Sequence, residues 1–273
     1  MAIQFSLIFL EDTGMAHDGV THYVRYAHEG RHLHGILEGN TIKELRGDLF
    51  RSPEETGATV ALADVRLLAP CEPSKVLAIG LNYHSHLRGR PVPDQIGVFS
   101  MFPTSIIGLD DEIVIPAATD SVHYEGEMVV VIGRKAKDIT VAEVPDHIFG
   151  VTAGNDVSER DWQRGDLQWF RAKGSDTFAP LGPAIVTGLD YNDLMIETRL
   201  NGEVRQHEST SDLISSVDEI VSYVSRYLTL LPGDVIFTGT PGTTAEMRAG
   251  DTVEVEVAGI GILRNTVVGG SSR

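Results

Sequence analysis

The stretch Tyr124-Glu-Gly-Glu-Met-Val-Val-Val-Ile-Gly133 decides how this chain is read. Its run of five apolar residues, three of them valine, suits a buried strand, because β-branched side chains pack well on a pleated surface. Residues two apart in a strand project from the same face, so Glu125 and Glu127 point the same way. Two carboxylates at the mouth of an apolar strand repel each other and lose hydration unless something cationic joins them. A hard divalent ion meets that need with oxygen ligands. On these residues alone the plainer reading stays open: a pair of exposed acids leading into a buried strand.

Strand signals recur on both sides. Ile148-Phe-Gly-Val-Thr, Pro183-Ala-Ile-Val-Thr, Asp234-Val-Ile-Phe-Thr and Asp251-Thr-Val-Glu-Val-Glu-Val are short runs of the same kind. Thr21-His-Tyr-Val-Arg-Tyr-Ala turns at Glu29-Gly30 and returns as Arg31-His-Leu-His-Gly-Ile-Leu, a hairpin pattern. Ile196-Glu-Thr-Arg-Leu returns through Asn201-Gly202, where both positions tolerate positive φ. Helices are few. Ser216-Val-Asp-Glu219 is a capping box ahead of Ile220, Val221, Val224, Tyr227 and Leu228 at helical spacing. A second helix is expected to open near Ser158 and run through Arg160, Trp162, Gln163 and Leu167. Strands do not alternate regularly with long helices. The expectation is therefore an α+β, strand-rich chain with a mixed sheet or roll and peripheral helices, not a doubly wound parallel sheet. Pro70 and Pro73 bracket Cys71 and set a boundary: a small β-rich N-terminal domain at 1–70 and a larger domain at 71–273.

Composition narrows the function. A chain of 273 residues is long enough to bury a sizeable core. Twenty-two basic residues against 39 acidic ones give a formal charge of −17, the wrong sign for nucleic-acid phosphates or an anionic membrane surface. Nothing approaches the roughly 18 apolar residues of a spanning helix. Residues 1–14 have no basic region and only a short apolar run, so no signal peptide is expected. The single cysteine, Cys71, permits neither an intrachain disulfide nor a cysteine-based zinc site. A soluble, cytoplasmic protein is the expectation, with no nucleic-acid or membrane partner.

A second acidic position lies downstream. Phe149-Gly-Val-Thr-Ala-Gly-Asn-Asp156 is a strand ending in an acid, at a strand-to-helix junction where ligands are commonly presented. Arg160 and Gln163, three apart, share a helical face, and a planar guanidinium suits a substrate carboxylate. Lys173 sits in a Gly- and Ser-containing loop. Gly80-Leu-Asn-Tyr-His-Ser-His86 follows a strand and offers two histidines, His84 and His86, as general bases. Thr238-Gly-Thr-Pro-Gly242 ends a strand in a tight loop able to hold an anionic group, without the Gly-Lys-Ser/Thr of a P-loop. Each has an ordinary counterpart: an N-cap acid, a solvated arginine or lysine, surface histidines.

Taken in order over residues 75–268, these pieces resemble the fumarylacetoacetate hydrolase superfamily. The matching elements begin with Gly-Leu-Asn-Tyr-x-x-His86, Tyr-Glu125-x-Glu127, Asn-Asp156-Val-Ser-x-Arg160-Asp-x-Gln163 and Lys173-x-x-Asp-Thr-Phe-x-Pro-Leu-Gly-Pro. They continue with Leu-x-Pro-Gly-Asp-Val-Ile-x-Thr-Gly-Thr240-Pro and Gly-Asp-x-Val-Glu-Val-Glu-x-x-Gly-Ile-Gly. The resemblance implies a mixed β-sandwich roll, a homodimer, and a divalent ion (Mg²⁺, with Mn²⁺ or Ca²⁺ as alternatives) held by Glu125, Glu127 and Asp156. It implies Lys173 polarising a 2-oxo acid substrate, His86 as base on a lid, and Arg160, Gln163 and Thr240 in contact with substrate. A cation chelating two adjacent substrate oxygens stabilises an enolate, which opens C–C cleavage, decarboxylation or tautomerisation.

Three positions depart from the family pattern. Hydrolytic relatives often carry a glutamate three residues after the histidine, where this chain has Gly89; Met101 replaces a lysine; and Gly242-Thr-Thr-Ala replaces Gly-Val-Gly. Family frequency makes hydrolysis of an acylpyruvate- or fumarylacetoacetate-like 2-oxo acid the leading expectation. The alternative is a decarboxylase, isomerase or tautomerase of a 2-oxo dicarboxylic acid such as oxaloacetate or 2-hydroxyhepta-2,4-diene-1,7-dioate. Readings from other classes are a cupin-like metal module, from His32-x-His34-x-x-x-Glu38, and a non-catalytic scaffold.

Overall fold

The computed structural model describes residues 19–117, 119 and 121–270. The signal-peptide reading of residues 1–14 lies outside them, as does the start of the 1–70 domain. The strand Gly126–Ile132 runs through the larger, twelve-stranded sheet. Ile148–Asn155 and Val235–Phe237 flank it, both antiparallel to it. Val235–Phe237 then pairs in parallel with Val76–Gly80, which pairs with Gly97–Met101. On the other side Ile148–Asn155 pairs with Ala179–Thr187, and Thr21–His28 joins next, drawing in the small N-terminal domain through Arg31–Glu38, Thr41–Arg46 and Glu54–Ala61. The second sheet has five strands, in the order Glu203–Ser209, Met195–Leu200, Thr252–Val257, Gly261–Gly269 and Glu112–Ile115. Parallel and antiparallel pairs coexist in each sheet, as a mixed roll requires.

The apolar run at the centre has a plain cause. Met128, Val130 and Ile132 pack with Val151, Ala153, Ile196 and Val255 in one core, while Val129 and Val131 pack with Phe237, Leu181 and Ala78 in another. A strand covered on both faces loses its polar alternation. Both hairpins form: Glu29 and Gly30 have φ of 48° and 73°, and Asn201 and Gly202 have φ of 54° and 78°. That is the positive-φ pair which matches strand twist in a two-residue turn.

Ser216 and Glu219 cap the helix Val217–Tyr227 reciprocally, and Val217, Ile220, Val221 and Val224 face the core. Tyr227 is exposed against Tyr223, and Leu228 already lies past the helix end. The helix expected from Ser158 begins two residues later. Ser158–Glu159 is spent on a short antiparallel pairing with Val122–His123, and Glu159 becomes the N-cap, accepting from the Trp162 amide. The helix is brief, Arg160–Gly165, because Gln168 and Trp169 take left-handed φ before a further turn, Phe170–Gly174, delivers Lys173. Among the described residues no helix is long and apolar enough to cross a membrane.

Candidate active site

The antiparallel register of Gly126–Ile132 with Ile148–Asn155 places Gly126 opposite Asn155. Glu125 and Asp156 therefore meet just beyond the paired ends, where the Asp156 amide donates to the Glu125 carbonyl at 2.9 Å and the Glu125 amide to Asn155 Oδ1 at 2.9 Å. Oxygens of Glu125, Glu127 and Asp156 lie within 4.8 Å of one another, and all three residues are buried. Lys173 Nζ reaches into this group, donating to Asp156 Oδ2 at 2.6 Å and Glu125 Oε2 at 2.7 Å. The lysine is itself only 2% exposed, and the Phe99 ring lies 5.1 Å from its ammonium. Arg160 Nη2 donates to the other oxygen of Glu125 at 2.5 Å.

Burial and charge set the protonation of each group. For Glu125, burial pushes the carboxyl up, but Lys173, Arg160 and His86 together overcome it and hold it well below the usual carboxylate range. At Glu127, burial and the charges of Asp156 and Glu125 outweigh the Gly239 amide and Lys173 and hold the carboxyl well above that range. Burial pushes Asp156 up to about 7 despite Lys173. For Lys173, burial opposes the charged form, and Asp156 and Glu125 reverse this and raise it. The cluster thus has more acid than its two cations can neutralise.

A cation fits what is left. Asp156 Oδ1 is buried with no hydrogen-bond partner, and Glu127 accepts only from the Gly239 amide, at 2.7 Å. Three converging carboxylates with unused lone pairs form an all-oxygen donor set suited to a hard divalent ion. Such an ion would also draw off the protons that burial keeps on Glu127 and Asp156.

Beside the carboxylates stands His86, in the four-residue turn His84–Leu87. Its Nε2 is 3.9 Å from Glu125 Oε1, and its Nδ1 is 2.9 Å from the Gly242 carbonyl oxygen. A carbonyl only accepts, so the proton sits on Nδ1 and the Nε2 lone pair faces the acidic centre. Burial pushes the imidazole below its ordinary value, against the pull of Glu125, so the ring is in its neutral free-base form near pH 7. Gly89 has φ of 80°, and a Cβ there would meet nothing within 4 Å. Asp94 is exposed and makes no hydrogen bond to His86.

Arg160 and Gln163 do share a face, and Arg160 Nη1 donates to Gln163 Oε1 at 2.9 Å. The Thr240 hydroxyl is buried and committed: it donates to the Gly126 carbonyl at 2.9 Å and accepts from Gln206 Nε2 at 2.8 Å. Two residues not singled out in the sequence adjoin the site. Thr244 Oγ1 accepts from Arg160 at 2.8 Å and lies 3.1 Å from His123 Nδ1. The two-residue spacing that links Glu125 with Glu127 reaches back to His123, so that signal was available; Thr244 stood only as a departure from a family pattern. The His32–His34 pattern lies on Arg31–Glu38, with His32 Nδ1 3.3 Å from Arg25 Nη2. Among the described residues, Glu125, Glu127 and Asp156 form the one acidic, histidine or cysteine group close enough to hold a metal.

Fold and site together define a class: a strand-rich roll that buries three carboxylates and a lysine beside a histidine-bearing turn. The chain belongs to the fumarylacetoacetate hydrolase family, residues 75–268 matching the family described as fumarylacetoacetate (FAA) hydrolase C-terminal. Residues 21–70 match a second family, described as Rv2993c-like, N-terminal. The crystal structure of 2-hydroxyhepta-2,4-diene-1,7-dioate isomerase from Mycobacterium marinum is 43% identical, with a TM-score of 0.87 over 92% of this chain and 100% of that one. The human mitochondrial oxaloacetate tautomerase FAHD2A is 40% identical over 221 residues, 76% of this chain and 70% of its own. Maleylpyruvate hydrolase from Sphingobium sp. SYK-6, solved with manganese(II) and pyruvate, is 26% identical with a TM-score of 0.79, over 92% of this chain and 100% of that one.

Proposed function

We propose that this chain is a divalent-cation-dependent tautomerase or isomerase of a 2-oxo dicarboxylic acid, with oxaloacetate as the first substrate to test. It departs from the hydrolysis that family frequency favours and is carried by one observation. The Nδ1 of His86 is held by a backbone carbonyl, and Gly89 stands where hydrolytic relatives often place the carboxylate that helps the histidine activate water. A neutral imidazole oriented by a carbonyl can move one proton back and forth but has no acid partner with which to drive water at a C–C bond. The relatives named for isomerisation and tautomerisation, at 43% and 40% identity, point the same way, whereas a fumarylacetoacetate hydrolase is at 34% and the maleylpyruvate hydrolase at 26%.

Glu125, Glu127 and Asp156 would hold Mg²⁺ or Mn²⁺, and the ion would supply Lewis-acid stabilisation of the enolate form of the substrate. His86 Nε2 takes a proton from the carbon next to the 2-oxo group and returns it to the enolate oxygen or, in an extended dienolate, to a more distant carbon. Lys173 balances the charge of two ligands and faces the oxygen on which negative charge grows. Arg160 and Gln163 orient a substrate carboxylate, while Thr240 serves by holding the loop rather than through its committed hydroxyl. Residues 71–273 carry this chemistry in the proposal, and residues 1–70 are accessory. Enol oxaloacetate with Mn²⁺ and the purified protein is the test. Accelerated loss of enol absorbance without pyruvate or CO₂ is the expected result; release of pyruvate and an acid from an acylpyruvate, with no effect on the enol, would refute it.

A further inference from the structure

The turn that carries His86 is pinned from both sides by contacts that the proton transfer itself does not use. Gly242 offers both of its peptide groups to this turn: its N–H donates to Ser85 Oγ at 2.8 Å and its carbonyl meets His86 Nδ1 at 2.9 Å. The Ser85 hydroxyl in turn donates to Glu208 Oε2 at 2.6 Å. Glu208 lies on Glu203–Ser209, the edge strand of the smaller sheet, whereas Gly242 belongs to the loop that follows Val235–Phe237 of the larger one. The two residues just before this turn are tied as well: Tyr83 bridges to Leu213, and the Ile214 amide donates to the Asn82 carbonyl at 2.8 Å.

We infer that Ser85, backed by Glu208, is a positioning residue that fixes the orientation and tautomer of His86. The chain of contacts runs Glu208, Ser85, Gly242, His86. A hydroxyl that gives its own proton to Glu208 has only lone pairs left for the Gly242 amide, so the direction of each bond is set. With the amide held by Ser85, the carbonyl of the same residue faces the imidazole. That carbonyl admits only the Nδ1–H tautomer and leaves Nε2 free toward the acidic centre. The device orients the ring through a backbone carbonyl and puts no carboxylate on the imidazole itself. Ser85 is itself exposed and touches no carboxylate of the triad, so its removal leaves that centre intact.

The inference rests on His86 as the proton shuttle of the proposed function, and the experiment separates the two. Ser85→Ala and Glu208→Gln are compared with wild type and His86→Ala, using enol oxaloacetate with Mn²⁺, and the His86 ring nitrogens are followed by ¹⁵N NMR. A displacement of about 1 Å of a catalytic group lowers turnover up to about a hundredfold, so Ser85→Ala should lose about tenfold or more in kcat. KM and Mn²⁺ binding should stay within about twofold. The ring should change from a single Nδ1–H tautomer to a mixture, and Ser85→Thr should restore both kcat and tautomer. Wild-type kcat and an unchanged tautomer in Ser85→Ala and Glu208→Gln, with His86→Ala inactive, would overturn the inference and leave the proposed function standing. Full activity in His86→Ala would remove the proposed function itself.

Discussion

Asp156 shows how much one side chain can be asked to do. One oxygen is bound to Lys173 and the other has no partner, so replacing it removes both a counter-charge and a cation ligand. Asp156→Ala should abolish Mn²⁺ binding and turnover together; isothermal titration calorimetry and the enol assay check this, and retained binding would count against the ligand assignment. The pH dependence follows from the same residue. Its carboxyl rises from 3.8 to about 7 on folding, so the folded, cation-free protein holds a proton that the unfolded chain releases. That contribution to stability is fully present below the unfolded value and is lost as pH rises through about 7. A cation displaces this proton, so the gain in Tm on adding Mn²⁺ should grow from about pH 5.5 to about pH 8. A constant or shrinking gain in differential scanning fluorimetry would contradict it. At this scale the residue types were readable in the sequence, because carboxylates at Glu-x-Glu spacing and a strand-ending aspartate carry a local signature. Their protonation was not, since it depends on which cations burial brings beside each one.

The elements followed local rules wherever those rules were uncontested. The Ser216–Glu219 box caps its helix as written. Ser216→Ala should lower stability by about 1 kcal/mol and Tm by about 2–4 °C, with Mn²⁺ affinity unchanged, as thermal unfolding and titration will show. The start of the Arg160 helix was contested, and tertiary pairing won. Ser158 and Glu159 entered a two-residue ladder with Val122 and His123, which shifted the first turn so that Arg160 reaches Glu125. No propensity in residues 158–163 foretells a partner some 35 positions upstream.

In the whole molecule the two sheets meet at the residue between the glutamates. A Cβ on Gly126 would sit 1.9 Å from Thr198 Oγ1 and 3.3 Å from Gln206 Oε1, both on strands of the smaller sheet. The Gly126 amide also donates to Gln206 at 3.1 Å. Gly126→Ala must therefore turn Thr198, push the sheets apart or move a neighbouring glutamate. We expect a loss of about 1–3 kcal/mol in urea unfolding, together with weaker Mn²⁺ binding by calorimetry. A variant of normal stability and affinity would show that the sheet contact does not position the carboxylates.

Sequence alone was enough for what is encoded within a few residues: strands from β-branched runs, hairpins from Glu-Gly and Asn-Gly, a helix from its capping box, and the family from an ordered set of motifs. Tertiary structure decided which distant groups meet. Antiparallel register brought Glu125 to Asp156, a loop after the parallel pair brought Gly242 to His86, and sheet packing brought Thr198 to Gly126. The physical reason is range. Backbone preference and side-chain periodicity act over one or two turns, whereas charge state, hydrogen-bond direction and close approach depend on groups far apart in the chain that meet only once water has been excluded between them.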